Sequence, residues 1–275
     1  MFSWNLKGTL RIVENPLVMG ILNITPDSFY AGNRLLTEKS WLNAAEKMVS
    51  EGADILDIGG QSTRPGSDRI GIEEELRRVL PVIEELNRRF PETILSVDTY
   101  QSRVAFEAVA AGASMVNDIS GGEMDPNMLK VVGGLSVPYI CMHMQGRPET
   151  MQKSPSYEDV VLEVLDFFMR KRIECLAAGI HDLVLDPGFG FGKTIEHSFQ
   201  LLRGLSTFRI TGLPILAGLS RKSTIFKTLG VTAAEALNGT TVANTIALMQ
   251  GADILRVHDV KEAKEAITLI KAINR

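Results

Sequence analysis

Cysteine is nearly missing from these 275 residues. Only Cys141 and Cys175 occur, too few for a disulfide framework, and they read as buried thiols of a reducing compartment. Positive charge is not in excess either: 29 Lys and Arg stand against 33 Asp and Glu, a formal net charge of −4. No global basic field is there to hold nucleic acid or an acidic membrane, so any anionic ligand has to be met by a few local cations. No apolar run approaches the ~18 residues of a membrane span. The N-terminal MFSWNLKGTLRIVENP lacks the basic-then-apolar layout of a secretory leader, and the cytoplasm is the expected compartment. Without a low-complexity or Ser/Pro-rich linker, one domain over residues 1–275 is expected. No HxxxH or CxxC spacing points to zinc. His181 and His197 read as surface residues, and Met48 and Met249 as core filler.

What is present is a recurring alternation. Hydrophobic residues make up 45% and charged residues 23%, ordinary globular values. Short apolar runs occur at Leu17–Ile24, Asp54–Gly59, Thr93–Thr99, Met115–Ile119, Pro138–His143, Leu183–Asp186, Pro214–Ser220 and Asp253–His258. Strands buried on both faces read this way. Between them lie helical patterns: Glu73–Arg89, with Leu76, Val79, Leu80, Ile83 and Leu86 at three- and four-residue steps, then Tyr157–Ala178 and Ala233–Gln250. Gly52, Gly112, Gly179 and Gly251 sit where helices would end with positive φ. Eight such units predict a TIM (β/α)8 barrel, with Phe2–Val13 as an N-terminal β-hairpin over the barrel's N-terminal mouth. An open doubly wound sheet is the alternative, but no GxGxxG follows the first strand.

Barrel active sites lie at the C-terminal ends of the strands, and this chain's strand ends are polar. The runs end in or contain Asn23, Asp57, Asp98, Asn117, His143 and Asp186; the seventh leads into Ser220, Arg221 and Lys222, and the eighth holds Arg256 and His258. Strand period two places Met19, Ile21 and Asn23 on one face, likewise Ser96 with Asp98, Met115 with Asn117, Val184 with Asp186, and Ile254 with Arg256 and His258. With Leu95, Val97, Leu255 and Val257 toward the helices, the polar set points into the mouth. A single Asp at a strand end is commonly a turn or cap residue, and Asp27 and Asp118 read that way. Six strands ending in inward polar groups are harder to dismiss.

Asp98, Asp186 and Asn117 suit a flat heterocycle rich in N–H groups, while Lys222, Arg256 and His258 supply positive charge for an oxyanion or phosphate. Met142 shares a face with Ile140 toward the mouth. The loop from Gly59 to Gly66 brings Thr63 and Arg64, and Asn23 offers an amide oxygen to a hard cation. In Gly188–Lys193 the glycines allow close backbone approach, and a Phe is either a stacking face or core. The charge run Glu73–Arg78 reads as a solvated helix face.

NITPDSF, DIGGQSTRPGS, SVDT, VNDISGG, MHMQGRPETMQ, LDPGFGFGK, GLSRKS and LRVHDV occur in that order, and by these motifs nearly the whole chain resembles the dihydropteroate synthase family. The resemblance implies a TIM barrel, a cytoplasmic homodimer, Mg²⁺, and the joining of (7,8-dihydropterin-6-yl)methyl diphosphate to 4-aminobenzoate with release of diphosphate and 7,8-dihydropteroate. By matching position, Asp98, Asn117, Asp186 and Lys222 would hold the pterin, with Met142 on the ring. Asn23, Arg256 and His258 would hold the diphosphate, Asn23 together with Mg²⁺, and Thr63 would touch the same substrate. Phe29, Thr63, Arg64, Pro65, Phe191 and Ser220 would line the 4-aminobenzoate region, where sulfonamides compete in that family. Asp98, Lys222, Arg256 and His258 are the expected catalytic set. The chain departs from the common pattern at Gln61, Ala31 and Asn33, which bears on the loops. A pterin-dependent methyltransferase on the same barrel would lack the STRPG and SRK loops. A non-catalytic pterin-binding paralogue would be expected to have lost Arg256, His258 or Lys222. A dimeric scaffold would leave the inward charges without a purpose.

Overall fold

Each of the eight apolar runs contains a strand. The computed structural model describes residues 1–24, 34–61, 69–148 and 150–273; the expectations at Asp27, Phe29, Ala31, Asn33, Thr63, Arg64 and Pro65 lie outside them. Phe2–Leu6 (β1) and Thr9–Val13 (β2) pair antiparallel as the hairpin. The other strands are Leu17–Asn23 (β3), Ile55–Gly59 (β4), Ile94–Asp98 (β5), Met115–Asp118 (β6), Tyr139–Met142 (β7), Leu183–Asp186 (β8), Leu216–Ala217 (β9) and Ile254–Val257 (β10). They form one parallel sheet in the order β8-β7-β6-β5-β4-β3-β10-β9. A Leu185–Ile215 bridge joins its two edges into a barrel. β9 is shorter than its apolar run at both ends; at the start, Pro214 has no N–H for the ladder, and its carbonyl accepts from Leu185 N at 2.9 Å.

Helices α1 (Arg34–Ser50), α2 (Ile72–Arg89), α3 (Ser102–Ala111), α4 (Met128–Gly133), α5 (Val160–Ala177), α6 (Ile195–Arg203), α7 (Ser223–Leu229), α8 (Leu237–Met249) and α9 (Val260–Ile273) surround the sheet. α5 starts three residues later than its apolar pattern, because the Asp159 side chain caps it by accepting the N–H groups of Val161 and Leu162. α8 starts at Leu237 rather than at Ala233. Gly52, Gly112, Gly179 and Gly251 all take positive φ, between 92° and 132°, where a side chain would be strained.

Alternation along the strands divides the core in two. Leu95, Val97, Leu255 and Val257 pack outward with the helices. Met19, Ile55, Ile94, Met115, Ile140, Val184, Leu216 and Ile254 fill the barrel, and Trp4 of the hairpin closes the same cluster from below. Trp4 is only 1% exposed, so the hairpin is a plug whose indole continues the barrel core. One expectation fails on α2. Glu73 and Arg77 are exposed, but Glu75 is fully buried. It falls on the same stripe as Val79 and Val82 and turns toward Gln101, whose amide donates to it. His197, expected at the surface, is half-buried; its Nδ1 accepts from Thr194 N at 3.3 Å to cap α6.

Candidate active site

Register builds the site. Asn23, Gly59, Asp98 and Asn117 stand side by side across β3, β4, β5 and β6. Gly59 contributes no side chain to this row. A Cβ there would lie 3.5 Å from Asp98 Cβ and 3.6 Å from Asn23 Oδ1, so the amide and the carboxylate flank one gap. One layer deeper, the next inward residue of β4 is Asp57, beside Ser96 of β5. Asp57 is fully buried. Its Oδ2 accepts from Asn117 Nδ2 at 2.9 Å and from Arg256 Nε at 2.7 Å, and Arg256 Nη2 donates to Asp98 at 2.6 Å. Because a carboxylate only accepts, Asp57 turns the amide nitrogen of Asn117 inward and leaves Asn117 Oδ1 as the outward group.

Across the mouth, Met142 and Asp186 pair in register on β7 and β8, and both are buried. Asp186 Oδ1 accepts from Gly188 N at 2.8 Å. Lys222 Nζ donates to Phe189 O at 2.6 Å and lies 4.8 Å from the centre of the Phe191 ring. Both readings of the aromatic pair in that loop apply, one to each ring: Phe189 is core, and Phe191 is half-buried beside a cation. At the rim, Ser220 Oγ is 3.0 Å from His258 Nδ1 and accepts from His258 N at 3.2 Å. Between Ser220 and Lys222, Arg221 takes φ 52°, uncommon for a side-chain-bearing residue. Its guanidinium grips Asp259 through two bonds of 2.8 Å, a fork that holds the strained turn and places Ser220 and Lys222 on either side of it.

Burial governs the charges. It pushes the Asp98 carboxyl up to about 7, against the pull of Arg256, and raises Asp186 against Lys222. It pushes the Lys222 ammonium down to about 8. For Arg256, burial opposes the charge, but Asp57 and Asp98 more than offset it and hold the guanidinium firmly protonated. These are carboxylates and cations that share a largely buried mouth and stabilise one another.

The structure thus brings Asn23, Asp98, Asn117, Met142, Asp186, Lys222 and Arg256 together, with Phe191, Ser220 and His258 at the edge. Thr63 and Arg64 lie outside the described residues. Asp118 is the turn residue it reads as, accepting from Ser120 N, Gly122 N and Tyr139 OH. Two residues carry a place in the site that the sequence did not assign. Asp57 was among the polar residues of the strand runs but was given no role; it shares an inward face with Ile55 and Gly59. Lys193, buried beneath the Gly188–Lys193 loop, carried no periodic signal.

Fold and site together define a barrel enzyme that binds a pterin: the model of the family described as pterin binding enzyme matches residues 19–258. The Escherichia coli (strain K12) dihydropteroate synthase is 45% identical over 97% of this chain and 94% of its own length. The crystal structure of the Yersinia pestis dihydropteroate synthase with a sulfonamide drug is 43% identical, covers 99% of both chains and superposes with a TM-score of 0.92. That of the Xanthomonas albilineans enzyme in complex with 7,8-dihydropteroate is 37% identical over 99% of this chain and 98% of that one, with a TM-score of 0.87. The chain belongs to the dihydropteroate synthase family.

Proposed function

We infer that this transferase condenses (7,8-dihydropterin-6-yl)methyl diphosphate with 4-aminobenzoate, giving 7,8-dihydropteroate and diphosphate for folate synthesis. The observation that carries the reading is the composition of the mouth. Asp98, Asp186 and the outward Oδ1 of Asn117 make an acceptor wall for a heterocycle with a guanidine-like N–H edge. Met142 offers an apolar face to the ring. Lys222, Arg256 and His258 bring positive charge for the diphosphate.

The residues fit a hard cation shared with the diphosphate. Asn23 ends β3 with an amide oxygen beside the Asp98 carboxylate, and oxygen donors of this kind suit Mg²⁺. Bound there, Mg²⁺ would stabilise the negative charge of the leaving diphosphate. The protein's own groups do the rest. The methylene–oxygen bond breaks with its electron pair leaving on the diphosphate, and Lys222, Arg256 and His258 receive that charge. Asp98, held beside the pterin by Arg256, offsets the positive charge spread over the ring and methylene. The arylamine nitrogen then bonds to the methylene and releases its proton. That amine is already neutral and nucleophilic near pH 7, so the step requires no strong base. Phe191 and Ser220 flank its entry.

Incubating the protein with both substrates, with Mg²⁺ and with a chelator, and separating the products by chromatography tests this. Mg²⁺-dependent dihydropteroate is expected. Pterin binding by calorimetry without any product would make the chain a non-catalytic binder instead.

We also propose one domain over residues 1–275, assembled as a cytoplasmic homodimer. Met249, expected as core filler, instead lies exposed with Val242 and Ile246 along one face of α8, an apolar edge that a second copy would cover. No helix among the described residues is long and apolar enough to cross a membrane. Light scattering at twice the chain mass would support the dimer, and the mass of one chain would exclude it.

A further inference from the structure

Four consecutive carbonyls after Gly188 are each held by a side chain. Lys222 Nζ donates to Phe189 O at 2.6 Å and Gln152 Nε2 to Gly190 O, while Lys193 Nζ donates to Phe191 O at 3.0 Å and Tyr157 OH to Gly192 O at 2.8 Å. The loop needs such anchors. Gly188, Gly190 and Gly192 all take positive φ, from 58° to 78°, and glycine gives up more chain freedom on ordering than any other residue.

Lys193 stands apart from the other anchors. It is 3% exposed, and its Nζ also reaches His143 Nδ1 at 2.9 Å and His143 O at 3.2 Å. Three acceptors thus surround Nζ, which donates to them while burial pushes its ammonium down to about 7. His143 suits the role: burial and the neighbouring lysine push its imidazolium down to about 2, so the ring is neutral and Nδ1 is free to accept. The loop also lies hard against the exit of β7. A Cβ at Gly188 would come within 2.0 Å of His143 O, and one at Gly192 within 2.3 Å of Gln145 O. Lys193 therefore ties two neighbouring strand exits together, and the carbonyl it holds belongs to Phe191, the ring beside Lys222.

We propose that Lys193 is a positioning residue for the second substrate: by tying the Phe191 backbone to His143 at the end of β7, it sets where the Phe191 ring meets the arylamine. The inference rests on the function proposed above. It concerns a residue that touches neither substrate, and it predicts a selective effect. Loss of a buried hydrogen-bonded anchor of this kind is worth about tenfold in affinity, and it should fall on 4-aminobenzoate rather than on the pterin, which is held by Asp98, Asn117 and Asp186.

The test is steady-state kinetics on the full chain, with calorimetry of the pterin diphosphate. Lys193→Met should raise KM for 4-aminobenzoate about tenfold and leave the Kd of the pterin diphosphate within about twofold. In a Phe191→Ala background the same change should add little, because the route runs through that ring. Independent, multiplying effects in the double variant would overturn the proposal, as would equal weakening of both substrates. Should Lys193→Met fail to fold, His143→Leu removes the Nδ1 acceptor and His143→Asn restores one. KM for 4-aminobenzoate should rise in the first and recover in the second, and a wild-type KM in His143→Leu would overturn the proposal. If the wild type forms no dihydropteroate, the functional reading fails and this inference falls with it. If the wild type turns over while the variants keep its KM, only the inference fails.

Discussion

At the residue scale the most consequential side chain is one that meets no substrate in the reading above. Asp57 holds Asn117 and Arg256 through a single oxygen, and its other oxygen is buried without a partner among the described residues. A buried carboxylate in this state is costly unless its charge is used, and here it fixes both the amide orientation of Asn117 and the reach of Arg256 to Asp98. Asp57→Asn should let the Asn117 amide turn over and loosen Arg256. The expected result is a KM for the pterin diphosphate raised about 10-fold or more, with KM for 4-aminobenzoate changed far less; equal KM values for variant and wild type would contradict the role. Asp98, Asn117, Asp186 and Arg256 were legible from strand parity and strand ends. Asp57 was legible as a polar residue of its strand, but it sits two residues before the strand's end, one layer deeper, and its role of holding Asn117 and Arg256 depends on contacts between strands that the sequence does not show. Lys193 was illegible for a different reason: nothing local in GFGFGK shows that the loop folds back over the lysine and buries it.

At the scale of elements, α2 shows how a charge run misleads. Glu73, Glu74 and Glu75 begin the helix and favour its N-terminus, but only the first two reach solvent. Glu75 lies on the apolar stripe. Burial raises its pKa, with Gln101 and Thr99 pulling the other way. A carboxyl whose folded pKa lies above its unfolded value binds more protons when folded, so its contribution to stability falls as pH rises from the unfolded value through the folded one. Glu75→Gln should remove that contribution. The gap in Tm between variant and wild type should therefore shift in the variant's favour between pH 4.5 and pH 8, measured by thermal melts. A constant gap across that range would contradict the burial argument. The strands of the sheet and the helices α2, α5 and α8 were legible, because apolar runs and three- and four-residue steps report burial directly. The starts of α5 and β9 were not, since a cap at Asp159 and a missing N–H at Pro214 decide them locally.

For the whole molecule, the barrel divides into a stable floor and a charged mouth. The floor is the inner apolar cluster sealed by Trp4, on the side of the barrel away from the strands' C-terminal ends. Trp4→Ala should cost about 3–5 kcal/mol in urea unfolding, as large-to-small core changes do, while KM for both substrates stays near wild type. A change in KM without loss of stability would mean that floor and mouth are coupled. The mouth gathers buried carboxylates and cations that would be destabilising in an ordinary core, and only a ligand of matching pattern gives that arrangement a use. In the proposed mechanism Asp98 offsets the positive charge that develops on the pterin. The most direct measurement compares single-turnover formation of dihydropteroate by wild type and Asp98→Asn at saturating substrates with Mg²⁺. Product is expected from the wild type, with a rate at least about 100-fold lower from the folded variant; a variant that turns over as fast as the wild type would contradict this role of Asp98.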